Sequence, residues 1–196
     1  ITLERNSFPS DLKKALRVKG APATVMEVEI SFPSIEALEL EGNAILHRSD
    51  VLYSDTFKLM VNDKARVDKI YLDCNTAEVI LAKNAYADVE SRAAELLYVI
   101  TSNASKAVVK QAGKEIKIDA AGTSNVTAIA EVDHINILSS SMASVALSPG
   151  MADSMTVSAI GSSKIDAEAL SVSKASMVQS GTSKCYVNVK DTLKVN

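Results

Sequence analysis

Met155-Thr156-Val157-Ser158-Ala159-Ile160-Gly161-Ser162-Ser163-Lys164-Ile165 returns twenty residues later as Ala175-Ser176-Met177-Val178-Gln179-Ser180-Gly181-Thr182-Ser183-Lys184-Cys185. Each copy opens on two apolar residues at i and i+2, passes through a small polar turn, and resumes on another apolar residue. Alternation at i, i+2 is strand periodicity. Gly and Ser are residues that tolerate tight turns. One such unit cannot bury its own apolar side, so the copies must stack.

Working outward, the outline recurs along most of the chain. The first apolar member of each copy falls at Leu38, Phe57, Val79, Leu97, Ile116, Ile135, Met155 and Ala175, in steps of 19, 22, 18, 19, 19, 20 and 20. A repeat of about twenty residues built from short strands predicts an all-β fold, a single-stranded β-solenoid of about eight coils. The expected inward columns are those eight residues; Leu40, Leu59, Leu81, Val99, Ile118, Ile137, Val157 and Met177; and Val67, Val89, Val108, Val126, Val145, Ile165 and Cys185. Residues 128–138 also scan as a helix, with Ala128, Glu131 and Ile135 at helical spacing, but β-branched content and the repeat outweigh that reading. A β-sandwich would not keep one period and one turn chemistry throughout.

Residues 1–31 do not follow the repeat and are expected to form an N-terminal cap or a degenerate first coil, with residues 32–196 as the solenoid domain. Within them 10–16 reads as a capped helical turn and 25–30 as a strand. Cys185 occupies a core column, and Cys74 lies several coils away. At about 4.8 Å per coil the two sulfurs stand roughly 25 Å apart, too far to bond.

Composition narrows the function. The chain has 196 residues, 24 acidic against 21 basic, for a net charge of −3. That balance argues against nucleic acid as a partner. The longest apolar run, Leu96 to Ile100, is five residues, so no transmembrane segment is expected. The chain opens on Ile1, so any signal peptide is expected to be already gone. No paired-ligand spacing suggests a metal, and no glycine-rich phosphate loop suggests a nucleotide cofactor. Fourteen serines between Ser139 and Ser183 suit turns and outward strand positions, where they could also hydrogen-bond a glycan.

Two outward features remain. Asp68 and Glu90, at what the repeat makes equivalent positions near Arg92, are the best carboxylate pair for a carbohydrate-active β-helix; Asp166 and Glu168 form a second outward pair. His47 and His134 each stand alone, with no nucleophile in register. The stronger feature is apolar. If Leu97 and Val99 point inward, Tyr98 and Ile100 point outward, and the same parity exposes Met60, Ile80 and Leu138. These five form a candidate interaction patch on an otherwise polar face, either covered by residues 1–31 or open to a partner, a second copy included.

Val28-Glu29-Ile30-Ser31-Phe32-Pro33-Ser34-Ile35-Glu36-Ala37-Leu38-Glu39-Leu40 resembles the opening of a head GIN domain, and the Gly161–Ile165 and Gly181–Cys185 turns are similar to those of its later coils. The resemblance covers roughly residues 25–196, although the early coils use Asn-Ala turns where the family favours Ser-Gly. It implies a right-handed β-helix-like fold and export to the periplasm or cell surface, as for the family's mostly Bacteroidetes members, with lipid anchoring before processing as one route. It also implies an adhesin role with an unspecified ligand, and it supplies no catalytic residues. The expected function is therefore a non-enzymatic cell-envelope binding module, without cofactor, for a protein or glycan. A carbohydrate-active β-helix and a self-assembling scaffold are the alternatives.

Overall fold

The structure, a computed structural model, describes residues 34–196. The helical turn at 10–16, the strand at 25–30 and the capping role of residues 1–31 lie outside the described residues. Within these there is no helix. Twelve strands follow one another: β1 (Ala37–Leu40), β2 (Ile45–Leu46), β3 (Val51–Val61), β4 (Arg66–Leu81), β5 (Tyr86–Ser91), β6 (Leu96–Thr101), β7 (Lys106–Ala120), β8 (Asn125–Ser139), β9 (Ser144–Leu147), β10 (Gly150–Gly161), β11 (Lys164–Gly181) and β12 (Lys184–Val195). They belong to one continuous sheet in which every pairing is parallel. The chain is a β-solenoid, and residues 128–138 are strand.

One core column runs Leu38, Leu59, Val79, Val99, Ile118, Ile137, Val157, Met177, each residue paired with the next. Beside it stand Phe57, Ala77, Leu97, Ile116, Ile135, Met155 and Ala175, all buried. These columns correct the expected register in two coils. Leu38 pairs with Leu59 rather than Phe57, and Val79 pairs with Leu59, so both coils are shifted by two residues. The uneven steps of 22 and 18 came from that shift; the true steps from Phe57 onward are 20, 20, 19, 19, 20 and 20. The third column is Leu46, Val67, Ala87, Ala107, Val126, Val145, Ile165, Cys185. Val89 is buried two residues further along, and Val108 faces outward opposite Asp88 and Thr127. Alanines occupy the core places that larger valines nearby were expected to fill.

Each coil turns through one residue in the left-handed region: Gly42, Asp63, Lys83, Asn103, Gly122, Ser141, Gly161 and Gly181. The turns stack as the strands do. The Asp63 carbonyl accepts from the Asn84 amide (2.8 Å), and the Asn103 carbonyl from the Thr123 amide (2.7 Å). Just after each turn a small buried residue, Ala65, Ala85, Ser105, Ser124, Ala143 or Ser163, lets the chain double back. The buried hydroxyls have local work: Ser105 Oγ donates to the Ser102 carbonyl at 2.9 Å, and Thr101 Oγ1 to Ser124 Oγ at 3.0 Å. Many serines therefore hold turns.

Both cysteines are free thiols. Cys185 follows Ile165 in its column but is only half-buried, because β12 closes the strand order. Burial pushes the Cys74 thiol up to about 11, helped by Asp73 and Asp55, and burial alone does the same for Cys185. Neither is a thiolate nucleophile near neutral pH.

Candidate interaction face

Residues 57–61, 76–81, 96–101 and 115–120 form one flat run of the solenoid, and every second side chain on it faces out. Met60, Ile80 and Ile100 are direct neighbours in three successive coils. Asp119 follows Ile100 in the column, and Leu138 follows Asp119. Met60, Ile80 and Ile100 are each half-buried, and one carboxylate separates them from Leu138, which is 42% exposed. Tyr98 stands in the adjoining column between Glu78 and Lys117. Leu96, between Thr76 and Glu115, extends the apolar area. The repeat does not single it out, since the equivalent places in the neighbouring coils hold the polar Thr76 and Glu115.

Tyr98 is pinned where it stands. Its hydroxyl donates to Asp119 Oδ2 at 2.5 Å, and Lys117 Nζ lies 4.2 Å from its ring centre. The bond to Asp119 raises the phenol above its ordinary range, so it stays a donor at neutral pH. A fixed aromatic ring loses little conformational freedom when a partner covers it. Asp119 Oδ1 is buried and has no partner among the described residues. Beside the patch is a shallow depression of about 420 Å³ lined by Glu36, Thr56, Lys58, Glu78, Leu96 and Tyr98. The Lys58–Glu78 ion pair, at 2.7 Å, lies along it.

The carboxylates proposed for catalysis are not in equivalent positions. Val67 pairs with Ala87 rather than Val89, and after an irregularity between Val67 and Ile70 Glu90 pairs with Tyr71, not with Asp68. Asp68 is held by Arg66 and by His47 Nδ1 at 3.0 Å, and those two bonds keep its carboxyl below the usual range. Glu90 lies 3.5 Å from both Lys69 and Lys110. Both therefore serve as members of surface ion pairs. Asp166 is likewise taken up by Lys164 at 3.1 Å.

His134 corrects another expectation. It does have a hydroxyl in register: Ser154 is its strand partner, with Nδ1 2.8 Å from Oγ. Glu115, one coil before it, is engaged by Asn136 Nδ2 at 2.5 Å. No carboxylate among the described residues lies within ion-pair reach of the imidazole, so the pair lacks the third group of a nucleophilic relay.

A parallel β-solenoid of this period agrees with the outcome of comparison with known families. The family model described as "Putative auto-transporter adhesin, head GIN domain" matches residues 86–196. The chain belongs to this family. Among curated proteins and solved structures, no match is found. The matched part of this head GIN domain holds Tyr98, Ile100 and Leu138, while Met60 and Ile80 precede it. The match begins just after the Asn84-Ala85 turn and includes one further Asn-Ala turn, at Asn103-Ala104, before the glycine turns of the later coils. The family description fits an adhesin-like head domain of surface location, and no helix among the described residues is long and apolar enough to cross a membrane.

Proposed function

We propose that this head GIN domain is a non-enzymatic, adhesin-like binding module of the cell envelope, exported to the periplasm or cell surface, and that it engages its partner through the mid-coil face. The observation that carries the reading is the in-register stack Met60, Ile80, Ile100 beside the pinned Tyr98. On the same face the later coils present Asn136, Thr156, Ser158 and Ser176, with the exposed Val178 as the last member of the Leu138 column. Apolar side chains kept outward over neighbouring coils lower solubility unless something covers them. Aromatic and aliphatic anchors ringed by ion pairs are the usual anatomy of a contact surface.

Immobilised chain exposed to bacterial envelope vesicles in surface plasmon resonance tests the proposal. Wild type is expected to retain vesicles, and Tyr98→Ser/Ile100→Ser to lose at least tenfold in retention. The double variant should fold with a stability loss of about 1–3 kcal/mol, since both side chains point outward but are half-buried and Tyr98 gives up its bond to Asp119. Equal retention by the two proteins would overturn the assignment of the face.

Self-association through this face is a second reading. Glu78 and Lys117 flank Tyr98 on opposite sides, so a two-fold through Tyr98 would bring opposite charges together. A mass that rises with concentration in light scattering, and falls in the same double variant, would select it. A strict monomer would remove it.

A further inference from the structure

Around the coil from the mid-coil face, the run 70–74 carries a second group of outward side chains that the fold does not use. Tyr53 is 66% exposed, the most open aromatic among the described residues whose exposure is large. Asp73 is its strand partner in the next coil. Arg92 stands one coil further in the same column, placed by its amide bond to the Leu72 carbonyl at 2.9 Å. Among the described residues neither Asp73 nor Arg92 has an ion-pair partner. Both are therefore open to solvent partners, in contrast to Lys69, which is held by Asp88 at 2.9 Å on the neighbouring strand position. Tyr71 lies diagonally across from Tyr53, its ring approached by Arg48 at 5.4 Å and Lys69 at 5.5 Å.

The geometry points to a saccharide site here: the column Tyr53–Asp73–Arg92 binds a neutral hexopyranose oligosaccharide lying along the solenoid axis. An open phenol ring offers a flat apolar platform to the C–H face of a pyranose. Asp73 accepts from hydroxyls, and Arg92 donates to them through a fixed fork. Successive coils are about 4.8 Å apart, close to the length of one hexopyranose residue, so each group meets its own ring. The free carboxylate and guanidinium cancel in charge, which favours an uncharged sugar over a uronate. The site is separate from the mid-coil face, and it stands or falls independently of the function proposed above.

Titration calorimetry with β-1,4-linked glucose and mannose hexasaccharides tests it, with a hexauronate as the charged comparison. Wild type is expected to bind at least one neutral hexasaccharide with a Kd below 1 mM on the order-of-magnitude scale of weak recognition, roughly −4 kcal/mol. Tyr53→Ala and Arg92→Ala should each weaken it about tenfold or more, while Tyr98→Ser/Ile100→Ser leaves it unchanged. Because all four side chains point outward, circular dichroism should show every variant folded. No binding of either neutral sugar, undiminished binding by Tyr53→Ala, or binding of the hexauronate alone would each overturn the proposal. Loss in the Tyr98/Ile100 variant instead would move the sugar to the mid-coil face and equally overturn it.

Discussion

Replacing Ile118 with aspartate is expected to remove at least about 4 kcal/mol of stability. Ile118 is fully buried between Val99 and Ile137 in the central core column. The substitution deletes apolar volume and places an ion where the neighbours above and below are hydrocarbon. An unpaired buried charge costs several kcal/mol by itself, and a domain has only about 5–15 kcal/mol to lose. The stack makes matters worse, since each coil holds its neighbours through one interface on either side, and a central defect uncouples two halves. Thr156→Asp is the control: its side chain lies on the same run but faces out, and the change should stay within about 0.5 kcal/mol. Urea unfolding followed by circular dichroism reads both. Similar midpoints for the two variants would contradict the inward and outward assignment.

The second large effect concerns a glycine whose backbone angle is ordinary. A Cβ built at Gly150 would lie 2.2 Å from the Ala130 carbonyl oxygen of the preceding coil. That oxygen belongs to a strand and cannot swing aside, so Gly150→Ala must push β10 away from β8. Overpacking of this kind costs about 3 kcal/mol at the upper end of its usual range. Gly42 offers the contrast. Its φ is +66°, yet a Cβ there would meet nothing within 4 Å. Gly42→Ala should cost about 1 kcal/mol from the left-handed conformation alone. The equivalent places in other coils already hold Asp63, Lys83, Asn103 and Ser141. At roughly 2–4 °C per kcal/mol for a chain of this size, the melting points should drop by about 6–12 °C and 2–4 °C. A larger drop for Gly42→Ala would contradict the close coil contact.

Much of this architecture was legible because stacking forces like residues into line. From Leu97 onward the first two core columns were read correctly, since Ile116, Ile135, Met155 and Ile118, Ile137, Val157 leave little choice. The register slipped at Leu38 and Val79 for a physical reason. A shift of two residues keeps every side chain on its own face, so alternation cannot detect it. Ala77, the true partner of Phe57 and Leu97, looked too small to anchor a column, and Ala87 and Ala107 concealed the third column in the same way.

Outward parity, too, is unchanged by a shift of two residues. Ile80 faces outward although its coil was misaligned, and Met60 lies in a coil whose register needed no correction. Asp68 and Glu90 failed because Val89 looked like the partner of Val67, whose partner is the smaller Ala87 two residues earlier. Tyr53 and Asp73 left no signal in the sequence, and Arg92 stood out only beside Asp68 and Glu90; the strand pairing sets the three in one column.

The central claim is that partners meet the chain on the run holding Met60, Ile80, Tyr98 and Ile100. Hydrogen–deuterium exchange with and without envelope vesicles tests it most directly. The account predicts added protection concentrated in residues 57–61, 76–81 and 96–101, with the turn residues 140–142 and 161–163 unchanged. Protection confined to the turns, or spread evenly over all coils, would contradict it.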